Sequence, residues 1–253
     1  MFVVLNKKHV IASIIIALVV IMLSVNVWGG RSASVYFGTS PRLVPIYNVD
    51  IEDKKVAITF DSAWGADKTQ GILDILKEYD ANATFFLVGF WAEKYPDMVK
   101  AIDEAGLEIG THSNTHPDFT KLNETQMKQE LELSSNTIKS ITGKDVKLFR
   151  SPYGAYNNTS INVASSLGLT TIQWNVDTLD WKGLSAGEIA KRVSAKVVPG
   201  SIILMHNNSD NVLDGLRLTL DYLKSSGYKV TSVGDIIYSD NYTIDHAGVQ
   251  HKK

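Results

Sequence analysis

The sequence predicts an α/β protein whose strand and helix units form an irregular (β/α)7 barrel. Three observations lead to this prediction. Short apolar, β-branched runs alternate with amphipathic segments between residues 50 and 239. No glycine-rich phosphate-binding pattern follows the first run, which leaves a dinucleotide-binding fold without support. Polar side chains recur where predicted strands end, and one rim of a β/α barrel collects reactive groups in this way. Repeated units imply a parallel sheet, open or closed, and the polar rim favours the closed form.

The first half of the chain supplies four strands. The run 56–60 is apolar and β-branched, which is typical of a buried strand. A helix is predicted over 68–79 from apolar residues at helical spacing, and a second over 96–105, ended by Gly106. Asn123 and Gln126 form a capping-box pattern that opens a long helix ended by Gly143. The other predicted strands of this half are 83–88, 107–111 and 147–149.

The second half supplies three more strands. A short helix over 159–167 is stopped by Gly168. Ser185 and Glu188 form another capping-box pattern, which opens a helix that runs to about residue 197. Further helices are predicted over 212–226 and 234–237, and the strands are 170–174, 201–205 and 229–231. The folded domain is predicted to span 50–239, and the polar residues 240–253 to form a flexible tail.

Composition excludes several classes of function. The 253 residues are 44% hydrophobic, which suits one sizeable domain with an appendage. The formal net charge of -2 provides no basic field, so we expect no nucleic-acid partner. The absence of cysteine excludes disulfides, thiolate metal sites and a cysteine nucleophile. We expect a monomer.

The N-terminal region is predicted to attach the protein to the cell membrane. Residues 10–28 are almost wholly apolar and are long enough for a single-pass transmembrane signal-anchor. Lys7 and Lys8 precede them and favour a cytoplasmic N-terminus, residues 1–9, with the domain outside the cell. A cleaved signal peptide and a buried core helix are the alternatives. Residues 29–49 would be a linker.

Several predicted strand ends carry groups that are costly to bury without a partner. Asp61 ends the first strand, and His112 and His116 follow the third at a spacing at which both imidazoles could ligate one metal ion. Arg150, after the fourth strand, could hold a carboxylate ionised. His206 ends the sixth strand. Taken alone, three of these signals have simpler explanations. His112 and His116 could be a chance pair, Arg150 could form a structural salt bridge, and His206 could be a core histidine.

The ordered set of motifs resembles a known family. The motifs are Thr59-Phe60-Asp61, His112-Ser-Asn-Thr-His116-Pro117, Arg150-Ser-Pro-Tyr-Gly154, Asp177-Thr-Leu-Asp180-Trp181 and Leu204-Met-His206. In this order they resemble the polysaccharide deacetylases, which are carbohydrate esterase family 4 or NodB-homology domains. The resemblance covers roughly residues 54–237, and the Phe-Asp-x-x-Trp-Gly form of the first motif looks most like the sporulation-linked PdaB type.

The resemblance implies hydrolysis of N-acetyl groups on a sugar polymer such as peptidoglycan, with a divalent metal, zinc or alternatively cobalt. It implies that Asp61 is the general base and His206 the general acid, tuned by Asp180. Arg150 would brace Asp61. The remaining implied roles are metal ligation by His112 and His116, oxyanion binding by the backbone N–H of Tyr153, and an acetyl pocket walled by Trp181 and Leu204.

One position departs from the family pattern. The first motif usually carries a second aspartate as a metal ligand, and here that residue is Ser62. A neutral hydroxyl is a weaker ligand, so we expect weak metal binding, with Asp67 as a candidate replacement that could fold back. The departure keeps two other functions open: a glycan-binding protein with little or no turnover, and a metal hydrolase for another acyl ester or amide.

Overall fold

The computed structural model describes residues 7–28 and 41–253. The chain divides into two units, of which the first ends at Pro41 and the second is Arg42–Lys253. In the first unit, α1 is a helix over Lys7–Trp28. Within the described ranges, no helix combines the length and apolarity that a membrane crossing requires. Residues 1–6 of the predicted N-terminus and 29–40 of the predicted linker lie outside the described residues.

The second unit alternates strands and helices. Its strands are β1 Asn48–Val49, β2 Lys55–Ser62, β3 Thr84–Leu87, β4 Glu108–Thr111, β5 Leu148–Phe149, β6 Thr170–Thr171, β7 Val176–Asp177, β8 Ile202–His206, β9 Lys229–Thr231, β10 Tyr242–Ile244 and β11 Val249–Lys252. Its α-helices are α2 Thr69–Glu78, α3 Gly89–Lys94, α4 Pro96–Glu104, α5 Glu124–Thr142, α6 Asn158–Ser166, α7 Ala186–Ser194 and α8 Val212–Ser225. Both predicted capping boxes are present, at the starts of α5 and α7.

A curled parallel sheet forms the centre of this unit, in the strand order β6-β5-β4-β3-β2-β8-β7. β2 also pairs with β9, at the residues where β2 begins. Every side chain of β2 after Lys55 is buried, because β2 is central and helices cover the sheet. The predicted parallel β/α architecture is confirmed.

The sheet is a half-barrel, which is consistent with the predicted irregular (β/α)7 barrel, but its strands do not pair around a closed ring. The predicted strand 170–174 separates into two short strands, β6 and β7, which lie at opposite ends of the sheet. The strand does not continue because the N–H of Gln173 donates to the carbonyl of Ile46, a residue of the predicted linker. Ile46 bridges to Ile172, and Asn48 bridges to Ser201 across the gap. This segment therefore occupies the place where the ring would close.

The predictions for both ends of the domain were wrong in part. Ile46 and Val49 are fully buried, so the folded unit begins several residues before Asp50. The tail that was predicted to be loose forms β10 and β11, which join β1 in a second, three-stranded sheet. Gln250 is fully buried there, and both ends of its side-chain amide are satisfied: the oxygen accepts from the N–H of Tyr238 and the nitrogen donates to the carbonyl of Tyr238. The polar C-terminal segment is thus held in place by a buried side-chain amide, that of Gln250, whose hydrogen bonds are all made within the protein.

Candidate active site

The carboxyl ends of the central strands bring the candidate residues to one edge of the sheet. Asp61, the second-last residue of β2, stands opposite His206 of β8 and Phe86 of β3 in the strand register. His112 directly follows β4, and Arg150 directly follows β5. Because these strands are parallel, their ends meet at one rim. The predicted placement at strand ends is what gathers the side chains.

Asp61 is held by a fully buried arginine. Arg150 Nη1 donates to Asp61 Oδ1 at 2.8 Å and to Thr59 Oγ1 at 2.7 Å. Its Nη2 donates to the carbonyl of Gln173 at 3.0 Å. Burial alone would raise the pKa of Asp61, but the charge and hydrogen bond of Arg150, together with the charge of His206, outweigh it and hold this pKa below its usual value. The carboxyl is therefore ionised and fixed in orientation.

The histidine pair sits in a tight turn after β4. His112 Nδ1 lies 2.8 Å from the carbonyl oxygen of Arg150, which makes Nδ1 the donor and leaves Nε2 facing Asp61 Oδ2 at 3.4 Å. The His116 ring centroid is 4.9 Å from that of His112. The left-handed backbone of Ser113 and His116, with φ of 70° and 61°, folds the turn back on itself. Burial lowers the pKa of both imidazoles, that of His116 to about 4, so both are neutral near pH 7.

His206 is paired with a buried carboxylate. Asp180 Oδ1 lies 2.8 Å from His206 Nδ1, and Asp180 Oδ2 accepts from the backbone N–H of His206 at 2.7 Å. Burial would lower the pKa of His206, but the hydrogen bond and charge of Asp180 prevail and raise it above its usual value. Asp180 also accepts from the N–H of Trp181 at 2.9 Å, which fixes the carboxylate. His206 is thus oriented and biased toward its protonated form.

These groups open into one cleft of about 680 Å³. Asp61, His112, His116 and His206 line it, together with the predicted pocket residues Tyr153, Trp181 and Leu204. Tyr153 has a left-handed backbone with φ of 60°. Such a conformation is costly for a bulky residue and occurs most often at functional sites.

The residues present do not fit a tight metal site. Metal sites of this kind need three protein ligands, and no group of three or more His, Cys, Asp or Glu side chains that could hold an ion occurs in the described part of the chain. Ser62 is fully buried and its hydroxyl lacks a hydrogen-bond partner. Asp67, the candidate replacement, is exposed and does not line the cleft. His112 and His116 therefore lie together without the third ligand that a carboxylate at position 62 would supply.

Sequence reasoning missed several supporting residues. Thr59 lies two positions before Asp61 and so on the same face of β2, which was a signal available in the sequence. The carbonyl of Gln173 and the ring of Phe86, 4.1 Å from the Arg150 guanidinium, also hold Arg150. A backbone carbonyl carries no side-chain signature, and only the folded chain brings Gln173 to Arg150.

The fold and the paired acid and base groups are typical of a hydrolase, and known proteins similar to this chain include hydrolases. The family model for polysaccharide deacetylases matches residues 48–172. A peptidoglycan-N-acetylglucosamine deacetylase, PgdA, from Listeria monocytogenes is 36% identical over 192 residues, which are 76% of this chain and 40% of that protein. The chain thus spans well under half the length of this relative.

Two solved structures are similar over most of their length. BA3943, described as a CE4 family pseudoenzyme from Bacillus anthracis, has a TM-score of 0.74 and 34% identity, covering 76% of this chain and 68% of that one. The Bc1960 peptidoglycan N-acetylglucosamine deacetylase has a TM-score of 0.74 and 32% identity, covering 76% and 92%. The chain belongs to the polysaccharide deacetylase family, CE4, a family of hydrolases that act on carbon–nitrogen bonds.

Proposed function

We propose that the Arg42–Lys253 unit removes acetyl groups from the N-acetyl sugars of cell-wall peptidoglycan. The observation that carries this proposal is the pairing of Asp61 and His206 across adjacent strands, each held by its own buried partner. A protein that only bound sugar would need neither an ionised base nor an oriented acid. The names of the similar proteins PgdA and Bc1960 support the choice of substrate.

In the proposed reaction, water attacks the carbonyl carbon of the acetamide, and the carbon–nitrogen bond then breaks. Asp61, which Arg150 keeps ionised, takes the proton of the attacking water. The backbone N–H of Tyr153 stabilises the oxyanion. His206 gives its proton to the departing amine nitrogen, a role suited to an imidazole whose pKa Asp180 raises. Acetate and the free amino sugar are the products.

Trp181 and Leu204 have a binding role in this proposal. Both line the cleft near His206, and Leu204 stands on β8 two residues before it. They would enclose the acetyl methyl group. An apolar pocket of this kind favours acetyl over a charged or longer acyl group.

Deacetylases of this family generally depend on a metal ion. We propose that zinc, or cobalt in its place, binds this chain weakly, because only His112 and His116 and the neutral Ser62 are available. Each reaction step above therefore uses only side chains and backbone groups of the chain.

A glycan-binding protein without turnover is the second candidate. The buried, unpaired hydroxyl of Ser62 favours it, because this hydroxyl replaces a carboxylate ligand. The similarity to BA3943, which is described as a pseudoenzyme, supports it as well.

Acetate release separates the two candidates. Acetylated glucosamine oligomers and intact peptidoglycan would each be incubated with the protein plus zinc, cobalt or a chelator. Release that His206→Gln abolishes would support the deacetylase. Glycan binding by calorimetry, with no acetate under any metal condition, would instead establish the second candidate.

We also propose attachment to the cell membrane as a monomer, with the second unit outside the cell, and a role in sporulation. The apolar stretch 10–28 behind Lys7 and Lys8 supports attachment, and the form of the first motif supports sporulation. Alkaline carbonate extraction of membranes from cells that make the full chain tests attachment: release into the supernatant would rule it out.

A further inference from the structure

The closing segment, residues 46–50, is hydrogen-bonded along both of its edges. On one edge, the carbonyl of Ile46 accepts from the N–H of Gln173 at 2.7 Å. On the other edge, the N–H of Asp50 donates to the carbonyl of Gln250 at 2.9 Å, and β1 pairs in parallel with β11. The closing segment therefore joins the C-terminal hairpin, which is β10 and β11, to the residues that follow β6.

Gln173 in turn supports Arg150 directly. The Arg150 guanidinium is fully buried, and the ring of Phe86, whose centroid lies 4.1 Å from Cζ, resists its tilting. Because Nη1 is bonded to Thr59 and Asp61, rotation in the guanidinium plane about that nitrogen is the freedom that remains. The bond from Nη2 to the carbonyl of Gln173, at 3.0 Å, stops this rotation. The position of that carbonyl therefore sets the direction from which Arg150 bonds Asp61.

Loss of the bond to Gln173 would be costly because the guanidinium is buried. Arg150 Nε is already without a hydrogen-bond partner in the described part of the chain. If the carbonyl of Gln173 moved, Nη2 would also be left buried without its acceptor, and an unsatisfied buried donor carries a desolvation penalty. Relief of that penalty requires the guanidinium to rotate, which displaces the bond that Nη1 makes to Asp61.

The hairpin approaches the closing segment closely at Gly248. The carbonyl of Gly248 accepts from the N–H of Tyr47 at 2.8 Å, and its φ of 85° is a left-handed conformation that suits glycine. A Cβ at this position would lie 2.3 Å from the ring of Tyr47 and 2.9 Å from the carbonyl oxygen of Pro45, the two residues that flank Ile46. A side chain here would therefore push the hairpin and the closing segment apart.

We propose that the C-terminal hairpin is a positioning element for the reaction: it fixes the closing segment, and with it the Gln173 carbonyl that holds Arg150, and thereby orients the general base Asp61. This inference rests on the proposed function, because it gives the hairpin a part in the same reaction. The hairpin touches no reacting atom and acts only through these contacts. Loosening it should therefore slow the chemical step and leave substrate binding in the cleft unchanged.

Steady-state acetate release from an N-acetylglucosamine hexamer, with zinc and the full chain, tests this role. The variants are Gly248→Ala, which pushes the hairpin away from the closing segment, and Gln250→Ala, which removes the two bonds that anchor β11 to Tyr238. Gly143→Ala is the matched control, because it makes the same change at a left-handed glycine where the new Cβ meets nothing within 4 Å in the described part of the chain. Gly248→Ala should lower kcat relative to the control on the order of tenfold to a hundredfold and leave KM unchanged.

Hydrogen exchange follows the same contacts without requiring turnover. In Gly248→Ala, the amides of the closing segment and of residues 171–174 should exchange on the order of tenfold faster than in Gly143→Ala, because the bonds across the closing segment weaken. The helix α2 is the reference for general destabilisation, because its buried side chains pack in a different apolar cluster from Ile46 and Val49. Its exchange should change less than that of residues 171–174.

Failure of this inference differs from failure of the proposed function. If the wild type releases acetate and Gly248→Ala has the kcat of Gly143→Ala, the hairpin has no positioning role and the proposed function stands. Exchange that rises equally in α2 and in residues 171–174 would also overturn the role, because it would show general loosening. No release by the wild type would overturn the proposed function, and with it the role of the hairpin. Gln250→Ala is judged by the same criteria and carries the test alone if Gly248→Ala does not fold.

Discussion

Replacing Ser62 by aspartate should make the protein less stable than the wild type without metal, and zinc should restore most of the lost stability. The Ser62 hydroxyl is fully buried and unpaired, so an introduced carboxylate would also be buried. Arg150, the nearby buried cation, is already paired with Asp61. The new charge would therefore have no partner until an ion binds between it, His112 and His116.

The size of the effect follows from burial. An uncompensated buried charge costs about 3–5 kcal/mol. For a domain of this size, about 3 kcal/mol corresponds to a melting temperature lower by about 6–12 °C. Zinc at a concentration of about a hundred times its dissociation constant would stabilise the folded variant by about 2.7 kcal/mol, which offsets most of a loss of about 3 kcal/mol.

Differential scanning fluorimetry with and without zinc measures both effects. Ser62→Asn is the matched control, because it has nearly the same volume as the aspartate variant but no charge, and its melting temperature should not respond to zinc beyond the wild-type response. If zinc raises the melting temperature of Ser62→Asp no more than that of Ser62→Asn, position 62 does not complete a site with the two histidines and the reasoning fails.

Three further predictions concern the pairs that the structure defines. Asp180→Asn should lower the pKa of His206, so the high-pH limb of the acetate-release profile should move to lower pH; an unmoved limb would separate Asp180 from the acid. Asp61→Asn leaves the buried Arg150 charge unpaired and should destabilise the fold by about 3–5 kcal/mol at pH 7, measured by urea unfolding. The pKa of Asp61 is lower in the folded state than in the unfolded state, where it is about 3.9. The stability that ionised Asp61 contributes is therefore complete above that unfolded pKa and is lost as pH falls through the folded pKa, so the wild type and Asp61→Asn should become equally stable in acid. Gln250→Ala removes two buried hydrogen bonds to Tyr238 and should cost about 1–3 kcal/mol, whereas a loose tail would show no change.

The sequence predicted the elements whose signals are local. Alternation, helical spacing and cap residues located the helices and central strands, and Asn123 with Gln126 makes both bonds of its predicted box. The position of Asp61, His112, Arg150 and His206 at predicted strand ends indicated that these residues lie close together, because the carboxyl ends of parallel strands meet at one rim. These predictions depend on interactions within a few residues or on one topological rule.

What the sequence could not predict depends on distant partners. β10 and β11 are polar and short, and they are ordered only because β1 pairs with β11 and Tyr238 satisfies the buried amide of Gln250. The gap between β6 and β7 exists because Ile46 takes the hydrogen bond of Gln173. A pattern of hydrophobicity carries no information about such pairings across the chain.

The most direct test of the account is acetate released from an N-acetylglucosamine hexamer, with wild type and His206→Gln compared at equal concentration with zinc. The account predicts release by the wild type and a loss on the order of 10²–10⁴-fold in the variant. Equal release from both proteins, or none from the wild type at any zinc concentration, would contradict it.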